Sequence, residues 1–245
     1  MLSTVASLTS DAGEEQVDLY DPAYIYRSIF GSKMKGHRQT WPLIDLSELQ
    51  SINPDCVGWI HIDGCPVNYP VVKQHFDRSY YLTHNFSGEE SVHGQVCLDF
   101  RHGGRMGDRT TVLHAHHMKD WSMFKAIVSL EEADYLATHP TVELVHGDKR
   151  YTARWSASVL YRSDDPWPER IRFADDADYA AWLARVALES TMPVPFAAAV
   201  DARLIVCDTC AYFHEPFDKF AAFAVIEGES LHKASAGAIT NLSSD

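Results

Sequence analysis

Two short segments carry the side chains best suited to chemistry. Three histidines stand close together at His114, His116 and His117, and two cysteines lie three residues apart at Cys207 and Cys210. An imidazole can bind a metal ion or move a proton, and a thiol can act as a nucleophile, a redox partner or a metal ligand. Three kinds of site therefore fit: a zinc centre, a dithiol redox centre, or a cysteine nucleophile paired with a histidine.

A zinc hydrolase would use a strand end rich in histidine. His114 and His116 would point to the same side of a strand, as two ligands of one metal ion must. The familiar metallo-β-lactamase pattern continues with an acidic residue and a further histidine, but Met118 and Lys119 occupy those positions here. The histidine cluster is therefore an incomplete zinc motif.

A dithiol redox site needs its cysteine pair at the start of a helix, whose N-terminus lowers the thiol pKa. Here Cys207 and Cys210 end an apolar stretch, and Pro216 follows shortly after them. The third interpretation needs one thiol and one imidazole, brought together by the fold from two strand ends, which is enough for acyl transfer without a metal. The odd total of five cysteines also leaves at least one thiol unpaired within the chain.

The segments that must position these groups have the pattern of a mostly β protein. Apolar stretches bounded by Gly, Pro, Asn or Asp predict strands at residues 57–63, 68–74, 94–100, 110–117, 141–146, 150–162, 202–210 and 219–228. Helices are expected from Asp21-Pro22, over 46–52, over 123–137 with a break at 129–130, and over 173–191. Many short strands with few helices favour a barrel or a sandwich.

Composition indicates one folded domain with flexible ends. The chain has 245 residues, 46% of them apolar, and a formal net charge of −13, which argues against nucleic acid or an anionic membrane as a partner. No segment approaches the roughly 20 apolar residues of a bilayer span, and the first residues lack a secretory signal pattern. The expected organisation is a leader over 1–20, N-terminal helices over 21–52, a catalytic domain over 53–230 and a tail over 231–245.

Several motifs, in their order, resemble those of the class B sortases. Thr209-Cys210 ends an apolar strand like that family's Thr-Leu-x-Thr-Cys, and HAHHMKDWSMF, about 90 residues upstream, resembles its Gly-His-Asn-Met strand end and Met-Phe helix. NPDCVGWI is similar to its Asn-Pro-Asp-x-x-Gly-Trp-Ile segment, and SYYLTHNFSGEESVHGQVCLDFRH to its Tyr-Tyr-Leu to Leu-Asp-x-Arg segment. The resemblance extends in order and spacing from about Leu46 to Ile226.

The resemblance implies a mostly β (α+β) fold. It would be a sortase-type closed β-barrel with two N-terminal helices and a long helix before the penultimate strand. The implied activity is that of a cysteine transpeptidase that needs no cofactor and no metal. Such an enzyme cleaves an Asn-Pro-x-Thr type sorting signal of a secreted protein through a thioacyl intermediate and transfers the protein to a peptidoglycan amine.

The expected location is the outer surface of a Gram-positive bacterium, with the membrane reached only through an anchor that is not part of this sequence. Two alternatives stay open. One is a sortase that polymerises pilins, for which the acceptor is a lysine amine of another protein. The other is a sortase fold of weakened activity that serves as a binding module.

Carried over by position, Cys210 would be the nucleophile, and His116 the general acid for the leaving amine and then the base for the incoming one. The family has an arginine about nine residues after the cysteine. Lys219 stands there instead, and it brings a charge but not the planar guanidinium fork. The positions expected to contact the substrate are Leu82, Asp208, Thr209 and Trp167.

Several departures from the family pattern bear on the site. Asp208 replaces a residue that is usually serine, and its carboxylate would disfavour a thiolate and could hold His116 as an imidazolium. Arg101 and Arg203 are alternatives to Lys219 for the role of the cation. His114 and His117, at the family's Tyr and Asn positions, are expected only to flank the site.

The remaining cysteines and several aromatic side chains are expected to be structural. Cys56, Cys65 and Cys97 lie within or beside apolar strands and fit small buried hydrophobes. Cys207 fits the same description, with a reversible disulfide to Cys210 as its alternative. Core positions rather than substrate contacts are predicted for Trp59, Tyr80, Tyr81, Met123 and Phe124.

Overall fold

The computed structural model describes residues 22–34, 41–73, 80–211 and 218–232 of the chain. The stretch predicted as a leader, 1–20, lies outside the described residues. Of the stretch predicted as a tail, residues 233–245 also lie outside them, whereas Leu231 still belongs to the last strand. Within the described ranges, none of the helices combines the length and the apolar character needed to cross a bilayer.

Eight strands close into a barrel, as the spacing of the apolar stretches and the family resemblance predict. In barrel order they run β1-β2-β3-β4-β7-β8-β6-β5, and β5 pairs with β1 to close the sheet. The pairs β2/β3 and β4/β7 are parallel, and the other pairs are antiparallel. The strands are β1 Cys56–His61, β2 Asn68–Lys73, β3 Val96–Leu98, β4 Thr110–His114, β5 Thr141–His146, β6 Lys149–Tyr161, β7 Leu204–Cys210 and β8 Lys219–Leu231.

The predicted hairpin between β5 and β6 is present. Gly147 and Asp148 form its two-residue loop, because His146 pairs with Lys149. Gly147 has a φ of 59°, and a residue without a Cβ adopts this left-handed conformation at little cost.

The helices flank the barrel. They are α1 Pro22–Phe30, α2 Leu46–Ile52, α3 Tyr80–Thr83, α4 Lys125–Val128, α5 Ala133–Thr138 and α6 Asp176–Glu189. Asp45 caps α2 by accepting hydrogen bonds from two backbone N–H groups, and Asp175 caps α6 by accepting one from Asp178. The predicted break near residue 129 is present as a 3₁₀ turn between α4 and α5. Two helices precede β1, and α6 precedes the penultimate strand β7, as predicted.

The two faces of β7 pack into different hydrophobic clusters. Ile205 and Cys207 belong to the cluster that fills the barrel and extends to the N-terminal helices. Leu204 and Val206 belong to a second cluster, which also contains Trp182 of α6. Because side chains alternate along a strand, Asp208 and Cys210 continue the outer face and Thr209 continues the inner one. The strand that carries Cys210 is thus fixed from both sides.

Most of the positions expected to be structural are buried. Exposure is at most 3% for Cys56, Cys97, Cys207, Trp59, Tyr81, Met123 and Phe124. Cys65 is only half-buried. The core prediction is wrong for Tyr80, whose side chain is 38% exposed and stacks on the His84 ring instead.

Candidate active site

The strand ends that carry the histidine and cysteine motifs lie side by side. In the parallel pair β4/β7 the last aligned residues are His114 and Asp208. His116 and Cys210 each lie two positions beyond this pair, at the same end of the barrel. The Thr209 hydroxyl donates to the Ala115 carbonyl at 2.9 Å, which extends the contact past the last paired residues. The fold therefore brings the two predicted catalytic residues to one place.

Cys210 is the last residue of β7 and is half-buried. The residue directly across from it in the antiparallel pair β7/β8 is Lys219, the predicted substitute for the family's arginine. Opposed residues in such a pair project to the same face of the sheet. The thiol and the lysine side chain therefore share the outer face of the barrel.

Cys207 has the opposite environment although it is only three residues away. It is fully buried on the inner face, and burial raises the pKa of its thiol far above the ordinary value. Both cysteines are free thiols. The alternative of a Cys207–Cys210 disulfide is contradicted, because positions three apart on a strand point to opposite faces.

His116 lies just beyond β4 and is half-buried. Its Nε2 atom is 2.7 Å from the carbonyl oxygen of Leu82, which can only accept, so Nε2 carries a proton and Nδ1 is left for other partners. The backbone carbonyl of His116 accepts from the Phe124 N–H at 2.9 Å. Between these two residues, Trp121 and Met123 adopt left-handed backbone conformations, with φ of 68° and 55°. Among the described residues, no hydrogen bond joins the imidazole of His116 to the thiol of Cys210.

Leu82 and His117 both contact the strand ends. The Leu82 side chain is 38% exposed, and its carbonyl holds the imidazole of His116, so this predicted substrate position is part of the site. The Nδ1 atom of His117 donates to the carbonyl of Cys210 at 2.7 Å. His117, expected only to flank the site, thus fixes the backbone of Cys210.

Asp208 is the centre of a buried ion-pair network on the outer face. Its side chain is 1% exposed. The Oδ2 atom accepts from His114 Nδ1 at 2.8 Å and from Lys219 Nζ at 2.5 Å, and Oδ1 accepts from the Tyr161 hydroxyl. Burial and the nearby negative charge of Asp208 raise the pKa of Tyr161, which stays protonated as a donor.

The network continues away from Cys210 through Asp99. His114 Nε2 donates to Asp99 Oδ2 at 2.9 Å, and the guanidinium of Arg101 donates to both carboxylate oxygens of Asp99 at 2.8 Å. Arg101 also donates to the backbone carbonyl of Glu169, and a carboxylate oxygen of Glu169 lies 2.6 Å from the Tyr161 hydroxyl, whose single proton lies between Glu169 and Asp208. Charge-assisted bonds of this kind are the stronger hydrogen bonds in proteins.

The pKa shifts in this network follow from its pairing. Burial alone would lower the pKa of His114, but the hydrogen bonds to Asp208 and Asp99 outweigh it and raise the pKa to about 9. Burial would raise the pKa of Asp208, but the bond from His114 and the charge of Lys219 hold it below its usual range. The pKa of Lys219 is raised, because the attraction of Asp208 exceeds the effect of burial.

Two expectations about Asp208 and His114 need correction. Asp208 was predicted to hold His116, but its two oxygens are occupied by His114, Lys219 and Tyr161. His114 was expected to flank the site, but it lies at the centre of the network. The sequence gives one signal, since Asp208 and His114 both depart from the family pattern, but their pairing is visible only in the strand register.

The two alternative arginines do not take the place of Lys219. The guanidinium of Arg101 is occupied by both oxygens of Asp99. Arg203 pairs with Glu229 at 3.2 Å, near the end of β8 opposite to Lys219. Lys219 is therefore the cation that the described residues place across from Cys210.

Two of the predicted substrate contacts have partners within the protein. Thr209 is 1% exposed on the inner face and bonds to the Ala115 carbonyl, so its side chain cannot meet a substrate on the outer face. Trp167 is half-buried, and the Arg185 guanidinium of α6 lies 4.0 Å from its ring centroid. The Trp167 carbonyl accepts from Trp182, so Trp167 packs on α6.

One group of side chains has the spacing of a metal site. Asp99, His114 and Glu169 place three ligand atoms within 4.8 Å of one another. Both nitrogens of His114 already bond to carboxylates, and the Arg101 guanidinium lies against Asp99 and 3.7 Å from Glu169. A cation is thus already part of the cluster, and the residues form an ion-pair network rather than a set of metal ligands. The absence of a cofactor stays a prediction.

Two clefts of about 420 and 430 Å³ lie beside the N-terminal helices. The smaller is next to Asn53 and Tyr81, and the larger lies between α1 and the barrel residues Trp59 and Tyr69. The described residues that line them include no cysteine and no histidine, so these clefts lack the groups needed for acyl transfer.

Comparison with known proteins identifies close relatives of this barrel. No protein-family model matches the chain. Sortase B of Listeria monocytogenes serovar 1/2a is 30% identical over 166 residues, which cover 68% of this chain and 67% of that protein. Sortase B of Staphylococcus aureus is 26% identical over 162 residues, which cover 66% of each. The matches thus span about two thirds of each relative's length.

A solved structure shows the same fold. The Staphylococcus aureus sortase B-substrate complex superposes with a TM-score of 0.67 and 25% identity, covering 74% of this chain and 83% of that one. The match confirms the predicted fold.

Proposed function

The chain belongs to the sortase B family of cysteine transpeptidases, and we propose that Cys210 carries its acyl transfer. One observation carries the proposal. The parallel register of β4 and β7 places Cys210 beside the strand end of His116, and the antiparallel register of β7 and β8 places Lys219 across from it. The residues proposed as nucleophile, proton carrier and cation thus lie at the same end of the barrel.

In the first half of the reaction, the thiolate of Cys210 attacks the scissile carbonyl carbon of a bound peptide. The carbon–nitrogen bond breaks, and the leaving amine takes a proton from His116. The product is a thioester between Cys210 and the amino-terminal part of the substrate. The exposed Leu82 lies next to His116 and is positioned to contact the peptide.

In the second half, an amine replaces the thiol. His116 takes a proton from the incoming amine, whose nitrogen attacks the thioester carbon. The carbon–sulfur bond breaks, and Cys210 is released as a thiolate. The imidazole is protonated again at the end, so the pair returns to its starting state.

Lys219 supplies positive charge where the carbonyl oxygen becomes negative. A charge fixed before the reaction stabilises such an oxyanion without reorganising. The bond to Asp208 holds the ammonium in place at 2.5 Å, although a lysine cannot form the two parallel bonds of a guanidinium.

The substrate and the acceptor follow from the family. We assign a sorting signal of the Asn-Pro-x-Thr type, cleaved after the threonine, and a peptidoglycan amine as the acceptor. The relative solved as a sortase B-substrate complex supports the peptide class. This chemistry places the protein outside the cytoplasm, at the surface of a Gram-positive bacterium.

The test is incubation with peptides of the Asn-Pro-x-Thr and Leu-Pro-x-Thr types, with and without amines, and identification of the products by mass. We expect cleavage after the threonine and, with a suitable amine, a product joined through a new amide bond. The Cys210→Ala variant should give neither product, whereas the Cys207→Ala variant should give both. Failure of the wild-type protein with every peptide and amine would favour the binding-module alternative.

A further inference from the structure

His114 sits between two carboxylates, and this position fixes its protonation state. Its Nδ1 atom is 2.8 Å from Asp208 and its Nε2 atom is 2.9 Å from Asp99. Ionised carboxylates only accept hydrogen bonds, and a neutral imidazole has only one N–H group. Both contacts can be hydrogen bonds only if both ring nitrogens carry protons, so His114 is an imidazolium.

The other charges in the network agree with this assignment. Asp99 accepts from both donors of Arg101, and Asp208 accepts from Lys219, so both carboxylates are held in the ionised form. Burial would raise the pKa of Asp99, but the bonds from His114 and Arg101 hold it well below its usual range. The pKa of His114 is raised to about 9 by its two carboxylate partners.

The positive charge of the His114 imidazolium balances the charges of the network. The anions facing this network are Asp99, Asp208 and Glu169, and the cations are Arg101, His114 and Lys219. Tyr161 is neutral, and its single hydroxyl proton lies between the carboxylates of Asp208 and Glu169. Three charges of each sign balance when His114 is protonated. With a neutral His114, one uncompensated negative charge would remain in a buried patch, which is costly.

That charge would act on the nucleophile. Asp208 and Cys210 are two residues apart on the same face of β7, and Lys219 lies across from Cys210. A nearby negative charge disfavours a thiolate, and a nearby positive charge favours it.

We propose that His114 is a positioning residue for acyl transfer: as an imidazolium it neutralises Asp208, so that Cys210 faces the Lys219 ammonium rather than a net negative charge. The inference rests on the proposed function of Cys210. It assigns a role to a residue that does not itself touch the reacting atoms.

The experiment measures the rate at which iodoacetamide alkylates Cys210 at pH 7, identified by peptide mass and without any substrate. The His114→Gln variant keeps a hydrogen-bonding side chain but loses the charge. We expect its Cys210 alkylation to be slower by about tenfold. The His114→Lys variant, which restores a cation, should recover most of the rate.

A double variant separates this role from a merely structural one. If His114 acts through Asp208, then adding Asp208→Asn to His114→Gln removes the charge that needs neutralising, and the rate should return towards that of Asp208→Asn alone. The matched control is His146→Gln on β5. Burial lowers the pKa of His146, so that change removes no charge and should leave the rate unchanged.

A second measurement uses the wild-type protein and does not depend on any variant folding. Nitrogen NMR of the imidazole of His114 at pH 8 should show both ring nitrogens protonated. A neutral ring at pH 8, or equal alkylation rates in the wild-type and His114→Gln proteins, would overturn the proposal. Because neither readout involves peptide cleavage, a failure of the proposed function would be recognised separately.

Discussion

The two faces of β7 present very different surroundings. The inner face presents Ile205, Cys207 and Thr209 to the interior of the barrel, where all three are at most 1% exposed. The outer face begins as apolar, with Leu204 and Val206 under α6, and ends with Asp208 and Cys210 among charged side chains. At this end of the strand, neighbouring residues thus point alternately into the hydrophobic core and into an ionic network.

This difference in surroundings is consistent with a nucleophilic role for Cys210 and a structural role for Cys207. A thiol reacts as the thiolate, and burial in apolar surroundings suppresses that form, as it does for Cys207. Cys210 is half-buried, lies across from Lys219 and has its backbone held by His117. The alternation of a β-strand therefore gives the two thiols different surroundings, and we expect Cys210 to be the reactive one.

The largest difference between the two faces is expected when each cysteine is replaced by alanine in turn. Cys210→Ala should lower peptide cleavage by at least a thousandfold, because the thioester can no longer form. Cys207→Ala should keep activity within a few-fold and lower the free energy of unfolding by about 1 kcal/mol, since only a buried thiol is lost. Cleavage rates and urea denaturation measure the two effects, and a large activity loss in Cys207→Ala would refute the division.

A second prediction concerns the proton carrier at the same strand end. His116→Ala should lower the rate of peptide cleavage by about 10²–10⁴-fold, since general acid–base catalysis contributes that much. The His139→Ala variant is a suitable control, because His139 lies at the end of α5 and not in the site. Its ring stacks on Tyr135, with ring centroids 4.1 Å apart. Equal rates for the wild-type and His116→Ala proteins would exclude His116 as the acid and base.

Lys219 allows a smaller test of the charged face. Lys219→Ala should lower peptide cleavage by about tenfold or more, because the developing oxyanion loses its cation. Lys219→Arg keeps the charge and should stay much closer to the wild-type rate. Steady-state cleavage kinetics of the three proteins decide the point, and an unchanged rate in Lys219→Ala would remove this residue from the site.

The smallest expected effect is a pH-dependent contribution to stability from His114. Its pKa in the folded protein, about 9, lies above the ordinary value of 6.5. Such a group stabilises the fold fully below pH 6.5, and this contribution is lost as the pH rises through 9. The wild-type protein should have a higher free energy of unfolding than the His114→Gln variant. This difference should be larger at pH 6 than at pH 9.5 by about 1–3 kcal/mol.

Chemical denaturation at both pH values measures this difference. The carboxylates Asp99 and Asp208 have lowered pKa values, so they stay ionised throughout this window and do not mask the effect. The same gap between the two proteins at both pH values would show that His114 is not held as an imidazolium.

The sequence predicts the barrel well, and it also indicates the catalytic candidates, whose strand ends the fold brings together. Strand patterns depend on local alternation, and the order of motifs from Asn53-Pro54 to Thr209-Cys210 is specific. Both features can therefore be recognised in the sequence without knowledge of distant contacts. Lys219 is also found by position, and the structure places it across from Cys210.

The sequence alone does not predict the hydrogen-bond partners of Asp208. The network joins residues of β4, β6, β7 and β8 with Asp99 and the turn at Glu169, and each contact depends on strand register and on side-chain direction. A shift of one residue would have placed Asp208 inside the barrel. The sequence therefore marks Asp208 and His114 as unusual, but only the register shows that they are bonded to each other.

The assignment of Cys210 as the nucleophile is tested most directly by the rate at which a charged methanethiosulfonate modifies each cysteine at pH 7. The labelled peptides are identified by mass. Cys65 is the matched comparison, because it is half-buried like Cys210 but burial raises the pKa of its thiol. We predict that Cys210 reacts at least ten times faster than Cys65, and that the difference disappears in denaturant. If Cys210 reacts no faster than Cys65 in the folded protein, the assignment of Cys210 as the nucleophile is contradicted.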